Sequence, residues 1–231
     1  MKKGKRGKMV QAQAGTGKAA PFYAPFERLA ISAISLTRVP LLITWVRAYF
    51  CPEEAIGPAK ASASFAGAAT NLFLSGIVLA AVSMAITLGM AFFNASDFIL
   101  PEDMPLFILA MAAIYPSLLV LFGFIGSAVL FMASKILGGS GGYMQQTFVL
   151  SLVYCGWAVL AVPFTILAQL PLAGIVFSLA AFAIEIFMFY GFYRAIKSVH
   201  GISSARAALA VAVPLVLLFL MVAMFAPAAA V

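Results

Sequence analysis

Four long stretches of this chain contain no charged side chain. They run from Ala61 to Ser96, from Met104 to Ser134, from Ile136 to Ile184 and from Ala207 to Val231. A helix that crosses a bilayer needs about 20 predominantly apolar residues, and each stretch is long enough for at least one. Only 9% of the residues are charged and 65% are hydrophobic, whereas a soluble domain is about 25% charged and about 45–50% apolar. The composition therefore excludes a soluble enzyme, a disordered protein and an ordinary nucleic-acid-binding protein.

The apolar segments predict an all-α integral membrane bundle of five transmembrane helices. Gln169-Leu170-Pro171 interrupts the longest uncharged stretch, which predicts a tight hairpin between two spans. The five predicted spans are 72–93, 106–131, 148–168, 172–193 and 207–225. The chain is thus predicted to contain a basic, disordered cytoplasmic tail over 1–24, an interfacial helical segment over 25–71 and a membrane domain over 72–231.

The basic residues predict the orientation of the spans. Lys and Arg collect in cytoplasmic loops, whereas Asp and Glu contribute little to orientation. Ten of the fourteen basic residues precede the first predicted span, and the other four lie in loops on the same side of the membrane. The loop after the first span contains Asp97, Glu102 and Asp103 and no basic residue. We therefore predict a cytoplasmic N-terminus and an external C-terminus.

The N-terminal tail has two interpretations. Its basic residues can act as an orientation signal alone, or they can also attract anionic lipid headgroups. The residues concerned are Lys2, Lys3, Lys5, Arg6 and Lys8. No aromatic residues interleave with this run, and the binding of single-stranded nucleic acids depends on aromatic stacking. We therefore predict membrane lipids, and no nucleic acid, as partners of the tail.

The segment after the tail is predicted to contain a helix that begins at Pro40, a residue suited to a first helical turn. Leu41, Leu42, Trp45 and Tyr49 recur at helical spacing. One interpretation is an amphipathic helix in the inner membrane interface, with the Trp45 and Tyr49 rings at headgroup depth. The alternative is a helix packed beneath the bundle by ordinary contacts. The sequence leaves both open.

Glu185 is the only acidic or basic side chain inside a predicted span. A charge there costs at least about 2.5–3.5 kcal/mol on insertion scales, so Glu185 is expected to face the bundle or a cavity. One interpretation is a proton or cation site. The other is a neutral acid that is hydrogen-bonded to Tyr154 or Thr165, because no second carboxylate, His or Lys lies in a span to complete a relay.

Few residues in the sequence could support catalysis or bind a metal. His200 is the only histidine, and Cys51 and Cys155 are the only cysteines. No cluster of metal ligands or set of nucleophile and base can be assembled from them. We therefore expect a protein that is not an enzyme and that uses no metal and no other cofactor.

Two loops on the predicted cytoplasmic side contain the candidate binding residues. The glycine-rich loop after the second span is interpreted as a sharp turn or as a backbone surface that another molecule approaches closely. The loop between the fourth and fifth spans is basic. The candidate residues in the two loops are Gly138, Gly139, Gly141, Gly142, Tyr143, Arg194, His200, Ser203 and Arg206.

Three motifs follow one another along the chain. The first is Pro40 ahead of an apolar and aromatic segment, and then Cys51-Pro52-Glu53-Glu54. The second is Lys135-Ile136-Leu137-Gly138-Gly139-Ser140-Gly141-Gly142-Tyr143, followed by Gln146, Tyr154 and Pro163. The third is Tyr193-Arg194-Ala195-Ile196, then His200-Gly201-Ile202-Ser203 and Ala205-Arg206-Ala207. In this order the motifs resemble the YIP family, the Ypt/Rab-interacting membrane proteins, and its prokaryotic branch in particular.

The resemblance implies five spans, a cytoplasmic N-terminus and, for the prokaryotic branch, a location in the plasma membrane. Eukaryotic members are linked to vesicle trafficking, Rab GTPases and membrane shaping, and the family is not known for a catalytic site. The long N-terminal region of some eukaryotic relatives is missing here, which puts GTPase partnership in doubt.

We interpret the chain as a non-enzymatic multi-pass protein that organises membrane or partner proteins through its cytoplasmic face, with membrane proteins or further copies of itself as partners. The alternative is a small transporter or channel, as a single chain or an oligomer, that uses the intramembrane Glu185.

Overall fold

The structure is a computed structural model that describes residues 40–54, 63–94, 104–169 and 174–225, together with Pro25. These residues form helices and loops and contain no strand. The helices, numbered along the chain, are α1 (Pro40–Phe50), α2 (Phe65–Asn94), α3 (Met104–Ile136), α4 (Tyr143–Leu167), α5 (Gly174–His200) and α6 (Ser204–Phe225). The all-helical prediction is confirmed for this part of the chain.

Four of the described helices are long and apolar enough to cross a membrane. The four segments lie within α2, α3, α4 and α5, and they are Phe65–Ile86, Leu106–Ile136, Tyr143–Leu167 and Gly174–His200. They coincide with the first four predicted spans, so a multi-pass membrane protein is confirmed at this level. Helix α6 covers the fifth predicted span, and its side chains are described as far as Val216.

Helix α4 forms the centre of the bundle, where it contacts α1, α2, α3 and α5. Its inward side includes several small residues, among them Ser151, Cys155, Gly156 and Ala158, all of them buried. Small side chains allow helix backbones to approach closely, which is the usual packing mode in membranes. Helices α3 and α5 lie at the periphery, where many of their large apolar side chains are exposed, as a lipid-facing surface requires.

Helix α1 packs against the bundle. The Trp45 and Tyr49 side chains are only 2% and 1% exposed. Trp45 donates a hydrogen bond from Nε1 to Oδ1 of Asn71 at 3.3 Å, and the Tyr49 hydroxyl donates to the carbonyl of Ile184 at 2.5 Å. The polar atoms of the two rings are therefore satisfied by protein groups. These contacts favour the packed helix over one with both rings at headgroup depth.

A glycine determines how closely α1 approaches the bundle. A Cβ atom placed at Gly156 would overlap the carbonyl oxygen of Trp45 and lie 2.5 Å from Cβ of Tyr49. Only glycine fits between α4 and α1 at this point. The end of α1 is held by Arg194, which contacts Glu53 with two hydrogen bonds and donates a third to the carbonyl of Phe50.

Several predicted features lie outside the described residues. They are the basic tail over 1–24, the acidic residues of the loop after the first span, and Leu170-Pro171 of the predicted hairpin. Gln169 is described, and its backbone N–H donates to the carbonyl of Ile166 at 3.1 Å where α4 ends.

Candidate functional site at the glycine-rich end

The glycine-rich loop between α3 and α4 and the turn between α5 and α6 meet at one end of the bundle. The backbone N–H and the hydroxyl of Ser140 both donate to the carbonyl of His200, at 3.1 Å and 3.2 Å. Arg206, in the first turn of α6, directs Nη1 towards the carbonyl of Leu137 at 3.4 Å. We call the surface formed by residues 137–143 and 200–206 the two-loop surface.

Two glycines of this surface end their helices in the left-handed conformation. Gly138 has φ +88° and Gly201 has φ +65°. At the end of α3, the N–H of Gly138 bonds to the carbonyl of Lys135 and the N–H of Gly139 bonds to the carbonyl of Ser134, which is a Schellman cap. At the end of α5, the N–H of Gly201 bonds to the carbonyl of Lys197, the simpler left-handed cap.

Two further glycines allow the loop to lie directly on the end of α5. A Cβ atom placed at Gly139 would be 2.6 Å from Nδ1 of His200 and 2.8 Å from the carbonyl oxygen of Ser134. At Gly141 it would be 2.6 Å from the carbonyl oxygen of Val199. Both glycines are buried. The structure therefore gives these two residues a packing role between the loop and α5, whereas Gly138 and Gly142 are exposed.

A buried polar network lies beneath the two-loop surface. Nε2 of His200 is 2.6 Å from Oε1 of Gln146, and Nε2 of Gln146 donates to the carbonyl of Ser127 at 2.8 Å. The Ser127 hydroxyl is 2.7 Å from the hydroxyl of Thr147. The Gln146 amide must present its NH₂ group to the Ser127 carbonyl, so its oxygen faces His200 and the proton lies on Nε2 of the imidazole.

The network ties three helices together at this end, because Ser127 belongs to α3, Gln146 and Thr147 to α4 and His200 to α5. All four side chains are buried. Nδ1 of His200 has no hydrogen-bond partner among the described residues, but the other polar atoms of the network connect the three helices, and such a network favours one arrangement of the elements that carry it. The buried network therefore fixes the positions of the two loops relative to each other.

The remaining candidate residues occupy different settings. The Tyr143 hydroxyl donates to the carbonyl of Phe124 at 3.0 Å, so this residue ties the start of α4 to α3. Arg194 lies one and a half turns before the end of α5 and pairs with Glu53. Ser203 and Arg206 are exposed at the start of α6. Of the predicted site, the two loops form one surface, whereas Arg194 belongs to the junction between α1 and α5.

The Glu185 side chain faces a different direction from the one predicted. The side chain is exposed on the outer face of α5, between Phe182 and Ile186, so the expectation that it faces the bundle or a cavity is wrong. The Thr165 hydroxyl donates to the carbonyl of Ala161, and the Tyr154 ring packs on Trp157. The inward-facing side of α5 is occupied instead by apolar residues that pack on α1, including Ile184 and Phe187.

Two further properties bear on chemistry. Cys51 and Cys155 form no disulfide within the described part of the chain, and both are buried. Within the described ranges, no three side chains of His, Cys, Asp or Glu come together in a way that could hold a metal ion.

Sequence reasoning did not identify the polar network as part of the site. Gln146 was noted only within a motif, and Ser127 and Thr147 were not singled out. The available signal was a glutamine near the start of an otherwise apolar span, a residue that needs buried partners there.

Comparisons with protein families, with curated proteins and with solved structures find no match to this chain.

Proposed function

We propose that this chain is a five-span, non-enzymatic membrane protein that organises membrane or partner proteins through its cytoplasmic face. The observation that carries the proposal is the two-loop surface. Two loops that are far apart in sequence are joined by hydrogen bonds from Ser140 to His200 and are anchored by a buried network. A surface whose shape is fixed before binding loses less conformational entropy when a partner docks.

The resemblance to the YIP family supports this role, because its three motifs gather at one end of the bundle. The Lys135–Tyr143 and His200–Ala207 motifs form the two-loop surface. The Cys51–Glu54 and Tyr193–Ile196 motifs are joined by the ion pair of Glu53 and Arg194. Motifs that are distant in the chain and adjacent in the fold suit one shared docking function. A plasma-membrane location in a prokaryote is part of the same proposal.

The distribution of charge supports a cytoplasmic location for this surface. Lys135, Lys197 and Arg206 all lie at or near the glycine-rich end. On the opposite side, the last turns of α2 and α4, which end at Asn94 and Leu167, and the first turn of α5, which begins at Gly174, contain no basic residue. Basic residues favour the cytoplasmic side. In this proposal α6, with 22 residues, is the fifth span, and its length of about 33 Å matches the hydrocarbon core.

The exposed cations also suit anionic lipids. Arg206 and Lys135 are exposed at this end, and each basic residue near an anionic membrane surface adds about 1 kcal/mol of attraction. We propose that the lipid headgroups contacted by Lys2, Lys3, Lys5, Arg6 and Lys8 of the tail lie in the same leaflet.

A transporter that uses Glu185 within a single chain has less support. A transported ion would need a path through the bundle, whereas Glu185 lies on the outer face of α5. The apolar residues Ile184 and Phe187 occupy the inward side at that depth.

The proposal is tested by site-specific photo-crosslinking in native membranes. A photoreactive amino acid replaces Ser140 or Ser203 on the two-loop surface, and Gln169 at the opposite end of α4 serves as the exposed control position. We expect the same adduct from Ser140 and Ser203 and none of it from Gln169.

A second variant tests whether the adduct reflects docking. Arg206→Glu reverses an exposed charge of the surface, and we expect it to reduce the shared adduct at least about fivefold, the effect of about 1 kcal/mol. Adducts that are identical at all three positions, or that persist unchanged in Arg206→Glu, would contradict the proposed role.

A further inference from the structure

Glu185 lies near the middle of a helix that is long enough to span the membrane. It is eleven residues after Gly174 and fifteen before His200, which places it about 16 Å and about 22 Å from the two ends of α5. A glutamate side chain is too short to reach either interface from this depth. Acidic residues at such depth almost always face a bundle interior or a polar partner.

Glu185 faces neither the interior of the described bundle nor a polar partner among the described residues. It is exposed, and its neighbours along the same face, Phe182 and Ile186, are 60% and 55% exposed. Among the described residues it has no hydrogen-bonding or ionic partner. A carboxyl group that is directed at hydrocarbon without a partner is strongly unfavourable. The exposed face of α5 therefore contains a polar group for which the described part of the chain supplies no partner.

Glu185 belongs to a regular stripe on this face. Ile175, Ser178, Phe182 and Glu185 are separated by steps of three, four and three residues, and all four are exposed. This spacing is the 3.5-residue repeat by which two helices pack along each other with a left-handed crossing, in water and in membranes. The two polar residues, Ser178 and Glu185, occupy equivalent positions one heptad apart.

We propose that this stripe is a dimer interface and that its occupant is a second copy of this chain, α5 against α5, with the two Glu185 side chains paired. Two copies that are inserted in the same orientation are related by a two-fold axis along the membrane normal, so each residue of the stripe meets its own counterpart. Glu185 then meets Glu185 at the same depth, and Ser178 meets Ser178.

The chemistry of the carboxyl group explains why a second copy fits. A neutral carboxylic acid has one O–H donor and one carbonyl acceptor, so two of them satisfy each other through a pair of hydrogen bonds. Serine hydroxyls can pair with each other in the same way. A lipid chain offers no donor or acceptor, and it would leave both polar residues unsatisfied. The inference is independent of the role proposed above for the two-loop surface.

Disulfide crosslinking of the full chain in native membranes tests the geometry. Ser178→Cys and Phe182→Cys place thiols on the stripe. Val176→Cys and Ala183→Cys place them at nearly the same depths on the other edge of the exposed face. Cys51 and Cys155 are buried, so the unsubstituted chain gives the background. We expect mild oxidation to give covalent dimers at the stripe positions at least about tenfold faster than at the control positions.

The role of Glu185 is tested by energy transfer between labelled chains in liposomes. Glu185→Leu removes the polar pair, and Ala183→Leu adds a similar apolar side chain at the same depth on the other edge. We expect Glu185→Leu to raise the dimer dissociation constant about three- to tenfold, as the loss of interhelical hydrogen bonds does in membranes. Ala183→Leu should leave it unchanged. Glu185→Gln, which retains a donor and an acceptor, should dimerise more tightly than Glu185→Leu.

Each alternative result would overturn the proposal. Equal crosslinking at stripe and control positions would show that the stripe is not an interface. A dissociation constant that does not change in Glu185→Leu, or a wild-type chain that stays monomeric, would show that the carboxyl pair does not hold two copies together. Because Glu185 is exposed and has no hydrogen-bonding or ionic partner among the described residues, circular dichroism should show unchanged helix content in every variant at this position.

Discussion

At the scale of single residues, the glycines of the two-loop surface have unequal roles. Gly139 and Gly141 lie against backbone carbonyls of Ser134 and Val199, atoms that cannot move aside without disturbing the ends of α3 and α5. A Cβ atom at Gly142 would make only ordinary van der Waals contact with the Gln145 side chain, and the backbone there is extended, with φ −86° and ψ 148°. The glycine-rich sequence therefore combines positions that require glycine with one that does not.

This difference predicts the effect of alanine at each position. Gly139→Ala should lower the free energy of unfolding by about 1–3 kcal/mol, the usual cost of forcing an extra methyl group into a packed site. Gly142→Ala is the matched control, since the nearest atom to its Cβ would be Oε1 of Gln145 at 3.7 Å, and we expect a change within about 0.5 kcal/mol. Thermal unfolding in detergent measures both. An equal loss in the two variants would contradict the packing role of Gly139.

The sequence identified most residues of the two-loop surface but not the reason for their positions. The glycines and His200 were candidates because of their types and their loops. The bond between His200 and Gln146 joins residues 54 positions apart, and no local pattern specifies it. The same limit applies to Glu185. Hydropathy placed it inside a span, but the direction of a side chain around a helix depends on which neighbours pack there.

At the scale of elements, α1 shows that the periodicity of apolar residues can predict a helix but not where that helix packs. The helical spacing of apolar residues after Pro40 correctly indicated a helix, and the structure has one over Pro40–Phe50. The same spacing is compatible with an interface helix and with a packed one. The partners that decide between them, Asn71 and Ile184, come from two other helices.

The docking of α1 should depend on Gly156. In Gly156→Ala the new methyl group would overlap the backbone of Trp45, and a cost of about 1–3 kcal/mol would raise the undocked population by about one to two orders of magnitude. Cys51, buried at the end of α1, should then react with a maleimide at least about tenfold faster. Mass spectrometry of the labelled peptides separates Cys51 from Cys155.

Gly126→Ala in α3 is the control for this experiment, because a Cβ there would meet no atom within 4 Å. It should leave the reactivity of Cys51 unchanged. A Cys51 thiol that stays protected in Gly156→Ala would show that the contact between α1 and α4 can adapt to a methyl group.

At the scale of the whole molecule, the uncharged stretches predicted the helical architecture well. In a bilayer, backbone N–H and C=O groups need hydrogen-bond partners within the protein, and a helix supplies them within one segment. Among the described residues, four helices long enough to cross lie where the first four of the five predicted spans were placed. The molecule has two distinct surfaces. The exposed apolar side chains of α3 and α5 form a lipid-facing belt, and the joined loops at one end form the two-loop surface. A surface that binds cytoplasmic partners must face the cytoplasmic side of the membrane.

The sidedness of the two-loop surface is therefore the most direct test. Single cysteines at Ser140, Ser203 and Gln169 are exposed to a membrane-impermeant maleimide in intact cells and again after permeabilisation. The account predicts that Gln169→Cys reacts in intact cells, whereas Ser140→Cys and Ser203→Cys react only after permeabilisation. Reaction of either loop position in intact cells, or different behaviour of the two loops, would contradict a single cytoplasmic surface.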